Sequence, residues 1–344
     1  MKKISLVVQS VYKNNKVFDL NDKWLNQDNR LDHVSLLRKE LKKEGYDLST
    51  QDINNPKDSF LQLHSEVPKY KIQENNAFLM LMESPAVIKK NWDLEYHKQF
   101  RKIFTYNEDL INENQDSQKY EKIRWPVKIF VPEFVPITDR KRDFLLVSAN
   151  KFSNYKSELY SNRKEIIDFF EKEPLFSFDL YGYGWENPPT SVERFNFLKR
   201  VNNRIFYEFK KITYVQPKSY KGFLTKKPEI FQNYQFCFVL ENISDLNGYV
   251  TEKIWECFSM GVIPIYLGAP NINNYFPEDS FIDLKRFKSN YSSLIKYISD
   301  MSDDDKNRML ESGKEIASKY HHNFSLNNFV KPIINSIKKF DLDY

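Results

Sequence analysis

Apolar residues in this chain gather into short, nearly unbroken runs, separated by polar segments whose apolar positions recur at helical spacing. Ile4 to Val8, Ala77 to Met82, Phe144 to Val147, Phe178 to Gly182, Phe236 to Val239 and Val262 to Leu267 each predict a strand. The most continuous runs, Ala77 to Met82 and Val262 to Leu267, have the pattern of strands covered by helices on both faces. Between the strands, Val34 to Lys43 predicts a helix broken by Gly45, before a short strand over Tyr46 to Leu48. A helix begins near Asn162 and Arg163, and another opens on Glu252 and Lys253, presses Ile254, Cys257 and Phe258 on a sheet, and stops at Gly261. Strand and helix in alternation predict α/β units with parallel sheets.

Prolines and charges divide the pattern. Pro126, Pro132 and Pro136, followed by the run Asp139 to Asp143, mark an exposed crossing between two domains. The expected organisation is a first domain over 1–140, a second over 141–325, and a C-terminal helix over 326–344 that packs back on them. In that last segment Leu326, Phe329, Ile333, Ile334 and Ile337 form an apolar stripe with Lys331, Lys338 and Lys339 among them. Docking explains the stripe, and contact of a basic amphipathic tail with an anionic membrane is the competing reading.

Candidate chemistry lies where buried strands end. In parallel α/β sheets ligands sit beyond the carboxyl ends of the strands, where helix N-termini offer unpaired N–H groups. Glu241, Asn242, Tyr249, Glu252 and Lys253 all fall at such an edge. An acid in a first helical turn is favoured by the helix dipole alone, so the cluster carries the signal rather than Glu252 by itself. In the first half, Ala77 to Met82 ends abruptly at Glu83-Ser84-Pro85. A carboxylate there, beside Met80 and Met82, is a candidate general base, the alternative being a strand-end acid before a proline turn.

Several motifs are better read as structure. Asp303-Asp304-Asp305 follows Ser302 and precedes a helical run, which is a helix start rather than a metal site. Gly182-Tyr183-Gly184 is a turn, and His321-His322 is a solvated helix end. Cys237 and Cys257 fall in an apolar strand and helix, as small buried residues rather than a disulfide or metal pair.

Composition narrows the function only by exclusion. With 52 Lys and Arg against 47 Asp and Glu, the net charge of +5 is too weak to argue for nucleic acid. No apolar run approaches the ~20 residues of a membrane-spanning helix, and the opening apolar run is too short for a signal peptide.

The order Glu241-Asn242, Tyr249-Val250-Thr251-Glu252-Lys253, Gly261 to Gly268, and Ser280 to Asp283 resembles the donor-binding signature of family 10 glycosyltransferases, the α-1,3/1,4-fucosyltransferases. The resemblance is dense over Tyr234 to Phe287 and weaker elsewhere. It implies an α/β GT-B fold, two Rossmann-like domains facing a central cleft. The first would bind the acceptor and carry Glu83 as catalytic base, and the second would bind GDP-fucose, with inversion at the anomeric carbon. The family's helix-start arginine, which meets the diphosphate, matches Arg163; Lys227 matches another family lysine, with Lys226 adjacent. Glu241, Asn242, Tyr249, Glu252 and Lys253 complete the expected donor site, Glu252 also stabilising positive character on the sugar.

The resemblance further implies that no divalent metal is required. It implies an oligosaccharide or lipid-linked glycan acceptor and a soluble cytoplasmic enzyme, with peripheral contact at the inner membrane face through the C-terminal helix as the competing reading for that helix. Two departures, Leu240 before the Glu-Asn pair and Ile243 after it, keep another GDP-deoxysugar open as donor. A noncatalytic glycan-binding relative is the other competing reading.

Overall fold

The computed structural model describes residues 1–128, 133–193, 211–224, 227–319 and 321–343. Pro132 and Lys226 lie outside the described residues. The chain divides into two units, one made of Met1–Lys128, Leu246–Tyr249 and His321–Tyr344, the other of Ile129–Asp245 and Val250–Tyr320. The first crossing therefore falls inside the proline-rich segment, at 128/129, and the last helix belongs to the N-terminal unit.

In the N-terminal unit β1 (Lys2–Val7), β2 (Tyr46–Thr50), β3 (Leu61–His64), β4 (Ala77–Leu81), β5 (Lys102–Thr105) and β6 (Tyr120–Lys122) form one sheet in the order β2-β1-β3-β4-β5-β6. Every pairing in it is parallel. β4 reads as an unbroken apolar run because both its faces are covered. Phe78 and Met80 join a core with Leu37, Leu41, Phe329, Ile333 and Ile337, while Ala77, Leu79 and Leu81 join another with Phe100 and Ile103.

The C-terminal helix Leu326–Asp343 spends its apolar stripe in that first core. Phe340 meets Phe60 and Phe78 with ring centroids 5.2 and 5.7 Å apart, and Phe329 meets His33 at 4.8 Å.

In the C-terminal unit β7 (Arg142–Val147), β9 (Phe178–Tyr181), β11 (Tyr234–Leu240), β12 (Ile263–Leu267) and β13 (Ile282–Asp283) form a parallel sheet in the order β13-β12-β11-β7-β9. Two short strands, β8 (Lys151–Phe152) and β10 (Thr190–Ser191), pair beside it. One sheet face packs Phe144, Phe236 and Phe238 against Ile166, Ile167 and Phe170 of the helix Tyr160–Phe170. Trp255 and Phe258, from the helix Glu252–Met260, meet Phe276 with ring centroids 5.1 Å apart in each case. Gly261 ends that helix at φ +66°, and a Cβ there would lie 2.5 Å from the Phe134 ring. Both the turn and the close approach require glycine.

The described part of the crossing segment is less exposed than its composition suggests. Ile137 is buried, and so is Arg140, whose guanidinium donates to Val135 O at 2.7 and 3.1 Å and to Tyr234 O at 2.7 Å. Carbonyl partners replace water around that cation, and burial lowers its pKa to about 10.

Candidate active site

The order of the C-terminal sheet locates a crevice. From β7 the chain passes to β9 on one side and then crosses to β11 on the other, so strand order reverses between β7 and β11. Outside the carboxyl ends of two such strands the flanking loops diverge and leave room for a ligand. Glu241 and Asn242 directly follow β11, and Ser148 directly follows β7.

Glu241 is fully buried, and its carboxylate is spent inside the protein. Oε1 accepts from Thr251 N at 2.9 Å, Thr251 Oγ1 lies 3.0 and 2.8 Å from the two oxygens, and Oε2 accepts from Lys253 Nζ at 2.9 Å. These bonds tie the end of β11 to the first turn of the helix Glu252–Met260. Burial alone would lower the Lys253 pKa, but Glu241 and then Glu252 overcome that effect and raise it, so the lysine stays charged. Thr251 also accepts from Lys253 Nζ at 2.9 Å. Gly268 is the third element of this packing. A Cβ there would stand 2.4 Å from Tyr266 Oη and 2.5 Å from Glu241 Cγ, so the strand end closes on the carboxylate only without a side chain.

Arg163 lies in the same cluster. Its Nη2 donates to Leu240 O at 2.9 Å, Glu241 O at 2.8 Å and Asn242 Oδ1 at 3.3 Å, and its guanidinium stands 4.5 Å from the Tyr160 ring centroid. The arginine fixes the backbone of the Glu-Asn pair. Further bonds stitch the loop after β7 to the loop after β11. Leu159 N donates to Asn242 O at 3.1 Å, Ser244 N to Ser157 O at 3.0 Å, and Tyr155 Oη to Asp245 Oδ2 at 2.9 Å.

The remaining candidates separate. Glu252 opens its helix with Oε1 3.9 Å from Lys253 Nζ, and its Oε2 is turned inward with no hydrogen-bond partner among the described residues. Lys227 pairs with Glu256 of that helix at 2.8 Å. Tyr249 belongs to the N-terminal unit, where its ring lies 4.9 Å from that of Tyr106 and the neighbouring Asn247 donates to Asp109 Oδ1 at 2.8 Å. Glu83 also belongs to that unit, partly buried just past β4, with Trp92 Nε1 donating to its carbonyl at 3.0 Å. The structure thus groups Arg163, Glu241, Asn242, Glu252 and Lys253 in one unit, and Glu83 and Tyr249 in the other. Thr251, Tyr266 and Gly268 fall within the sequence signature without a role of their own there, and the fold supplies it by bringing them against Glu241.

The discounted motifs are structural. Ser302 Oγ accepts from Asp305 N at 3.1 Å, while Asp305 Oδ2 accepts from Ser302 N at 3.2 Å, a reciprocal cap on the helix Asp303–Lys319. Gly182 turns at φ +136°, where a Cβ would meet Ser148 O at 1.9 Å. Cys237 and Cys257 are buried and free. His322 lies in a short 3₁₀ turn, His321–Phe324, just past that helix. Among the described residues no three His, Cys, Asp or Glu side chains gather as a metal-binding group.

Residues 149–311, which hold this cluster, match the family described as glycosyltransferase family 10 (fucosyltransferase), C-terminal. Over this segment the chain is similar to glycosyltransferase family 10. A GDP-fucose protein O-fucosyltransferase 3 of Xenopus tropicalis is 37% identical over 78 residues, 22% of this chain and 16% of that protein. An alpha-(1,4)-fucosyltransferase of Arabidopsis thaliana is 36% identical over 72 residues, 21% of this chain and 18% of that protein. The chain thus matches under a fifth of the length of either relative. A crystal structure of an alpha1,3-fucosyltransferase with GDP superposes with a TM-score of 0.53 at 16% identity, covering 97% of this chain and 91% of that one. That likeness gives the chain its fold, the GT-B class of two Rossmann-like α/β units.

Proposed function

We propose that this protein is an inverting family 10 glycosyltransferase that moves L-fucose from GDP-β-L-fucose to a hydroxyl of an acceptor glycan, in α-1,3 linkage to GlcNAc or Glc. The observation that carries this reading is the Glu241–Lys253 pair, a buried carboxylate under a partly exposed lysine, at the strand-order reversal and inside the segment that matches the fucosyltransferase family. An ammonium has three N–H donors. Two of those on Lys253 serve Glu241 and Thr251, which aims the cation and leaves one N–H for a phosphate oxygen.

The acceptor oxygen attacks the fucose C1 on the face opposite GDP as the C1–O bond to the β-phosphate breaks. The acceptor's proton passes to Glu83, and the electron pair of the broken bond leaves with GDP. Charge building on the departing phosphate is met by Lys253, with Arg163 holding the Leu240–Asn242 backbone in place behind it. Glu252, whose Oε2 is unspent, accepts a ribose or sugar hydroxyl and stabilises positive character at the ring. Glu241 acts through Lys253 and Thr251, as a positioning residue. Asn242 orients the donor beside it. The donor contacts read from the family resemblance for Tyr249 and Lys227 stand as part of this proposal, as does a reaction without an essential divalent metal.

The test is release of GDP from GDP-fucose with a glycan panel as acceptors. Wild type is expected to transfer fucose, and Glu83→Gln to lose at least about a hundredfold in rate with GDP-fucose affinity retained. Full transfer by Glu83→Gln removes Glu83 as base, and transfer from another GDP-deoxysugar in preference to GDP-fucose removes the donor assignment.

A second reading concerns the acceptor. The likeness to a protein O-fucosyltransferase favours adding a folded protein domain to the panel, and fucosylation of protein alone would replace the glycan acceptor. The proposal places the enzyme in the cytoplasm, reaching lipid-linked glycans at the inner membrane face. Because the C-terminal helix buries its apolar stripe, such contact would use the lysines Lys331, Lys338 and Lys339. Co-sedimentation with anionic vesicles that is unchanged when these three become alanine would remove that part.

A further inference from the structure

Both cations expected at the donor diphosphate already have carboxyl or carbonyl partners inside the protein. Arg163 serves the backbone after β11, and Lys253 serves Glu241. Their two positive charges are balanced by Glu241 and Glu252, so the cluster itself is neutral. A diphosphate carries several negative charges and calls for a further cation on the same edge.

Lys151 meets that requirement. It lies on β8, four residues past the end of β7, on the other side of the strand-order reversal from Glu241. Its Nζ donates to Thr190 Oγ1 at 2.8 Å, the bond that joins β8 to β10 through their side chains as well as their ladder. The segment that begins with Lys151 is the one stitched to Asn242–Asp245 by Leu159, Ser157 and Tyr155. Ser148, at the head of the same loop, keeps a buried hydroxyl with no hydrogen-bond partner among the described residues.

The charge environment of Lys151 differs from that of its peers. Lys227, Lys253, Lys306 and Lys314, the other partly buried lysines described in this unit, each face a carboxylate within ion-pair distance. Lys151 has no such partner among the described residues, and burial lowers its pKa below the ordinary lysine value. Holding a desolvated ammonium against a neutral hydroxyl costs stability unless an anion arrives to meet it.

We propose that Lys151 is a diphosphate-binding residue, contacting the phosphates of the nucleoside-diphosphate sugar at the crevice between β7 and β11. This assignment rests on the donor reading above and adds to it a cation from the loop after β7. Arriving phosphate oxygens take the place of the missing carboxylate, so the lysine discriminates between nucleotides by their phosphate count and leaves the base unread.

Calorimetric titration of the full chain with GDP, GMP and guanosine tests it, using wild type, Lys151→Gln and Lys151→Arg. Lys151→Gln is expected to weaken GDP about tenfold, with guanosine affinity unchanged and the preference for GDP over GMP reduced. Lys151→Arg is expected to restore GDP affinity to within about threefold of wild type. Wild-type GDP affinity in Lys151→Gln overturns the assignment, and so does an equal loss for GDP and guanosine, which marks a merely structural lysine. Either result leaves the donor reading intact, whereas wild type that binds no GDP overturns both.

Discussion

Lys253 Nζ stands 2.9 Å from Glu241 Oε2, and the two partners are unequally covered, the carboxylate wholly buried and the lysine side chain 29% exposed. The asymmetry sets what each partner contributes. Losing the lysine strands a charge that water cannot reach, while losing the carboxylate leaves a cation that can hydrate. Lys253→Met is therefore expected to cost about 3 kcal/mol of unfolding free energy, and Glu241→Gln roughly half of that. Urea unfolding of the two variants measures both, and the reverse order would show that stranding the buried carboxylate is not the costlier loss.

Gly268 permits the contact between Glu241 and Tyr266. Gly268→Ala would push a methyl group into Tyr266 Oη and Glu241 Cγ and is expected to cost about 2 kcal/mol and to weaken donor binding. Tyr266→Phe removes the nearest clashing atom at the loss of the bond from Ala269 N, 3.0 Å long. The double variant should then be more stable than the sum of the single losses, and strict additivity in a thermal melt would refute the steric account.

His64 gives the N-terminal unit a pH dependence. The ring is fully buried at the end of β3, and burial lowers its pKa to about 4, an effect that Glu74 opposes only in part. Below the unfolded value near 6.5 the unfolded chain binds the proton first. The contribution is thus complete above about pH 6.5 and is lost as pH falls toward 4, by about 3 kcal/mol in all. Unfolding free energies at pH 7 and pH 4.5 should differ more for wild type than for His64→Gln, and parallel curves would contradict the assignment.

The acidic triplet at 303–305 predicts a stability effect. Ser302→Ala removes the acceptor for Asp305 N and is expected to cost about 1 kcal/mol. Donor turnover should be unchanged in that variant and in Asp303→Asn. A loss of turnover larger than the change in folded fraction would give the triplet a role that its capping geometry does not explain.

Much of the fold is written in the apolar runs because parallel strands covered on both faces leave little room for polar residues. The strands β4, β7, β11 and β12 overlap the runs that predict them, Ala77 to Met82, Phe144 to Val147, Phe236 to Val239 and Val262 to Leu267. β3 is harder to read, since Gln62 and His64 interrupt it. Both are buried, and they satisfy each other with His64 Nε2 3.1 Å from Gln62 Oε1, a pairing visible only once the strand is formed. The residues at the end of β11 and the start of the following helix are legible as a cluster through the Glu-Asn and Thr-Glu-Lys spacing. Their division of labour is not, because sequence does not tell that Glu241 faces inward or that Tyr249 falls with the N-terminal unit. Arg140 shows the same limit, a charged residue in a proline-rich segment that is buried because carbonyls from two elements surround it.

The central claim is that the edge between β7 and β11 binds a guanosine-diphosphate sugar. Titrating the full chain with GDP-fucose, GDP-mannose and UDP-glucose tests it most directly, with Lys253→Met as the control. GDP-fucose is expected to bind tightest, UDP-glucose at least about a hundredfold more weakly, and Lys253→Met to lose most of the GDP-fucose affinity. Equal or tighter binding of UDP-glucose, or GDP-fucose affinity unaffected by Lys253→Met in a folded protein, would contradict it.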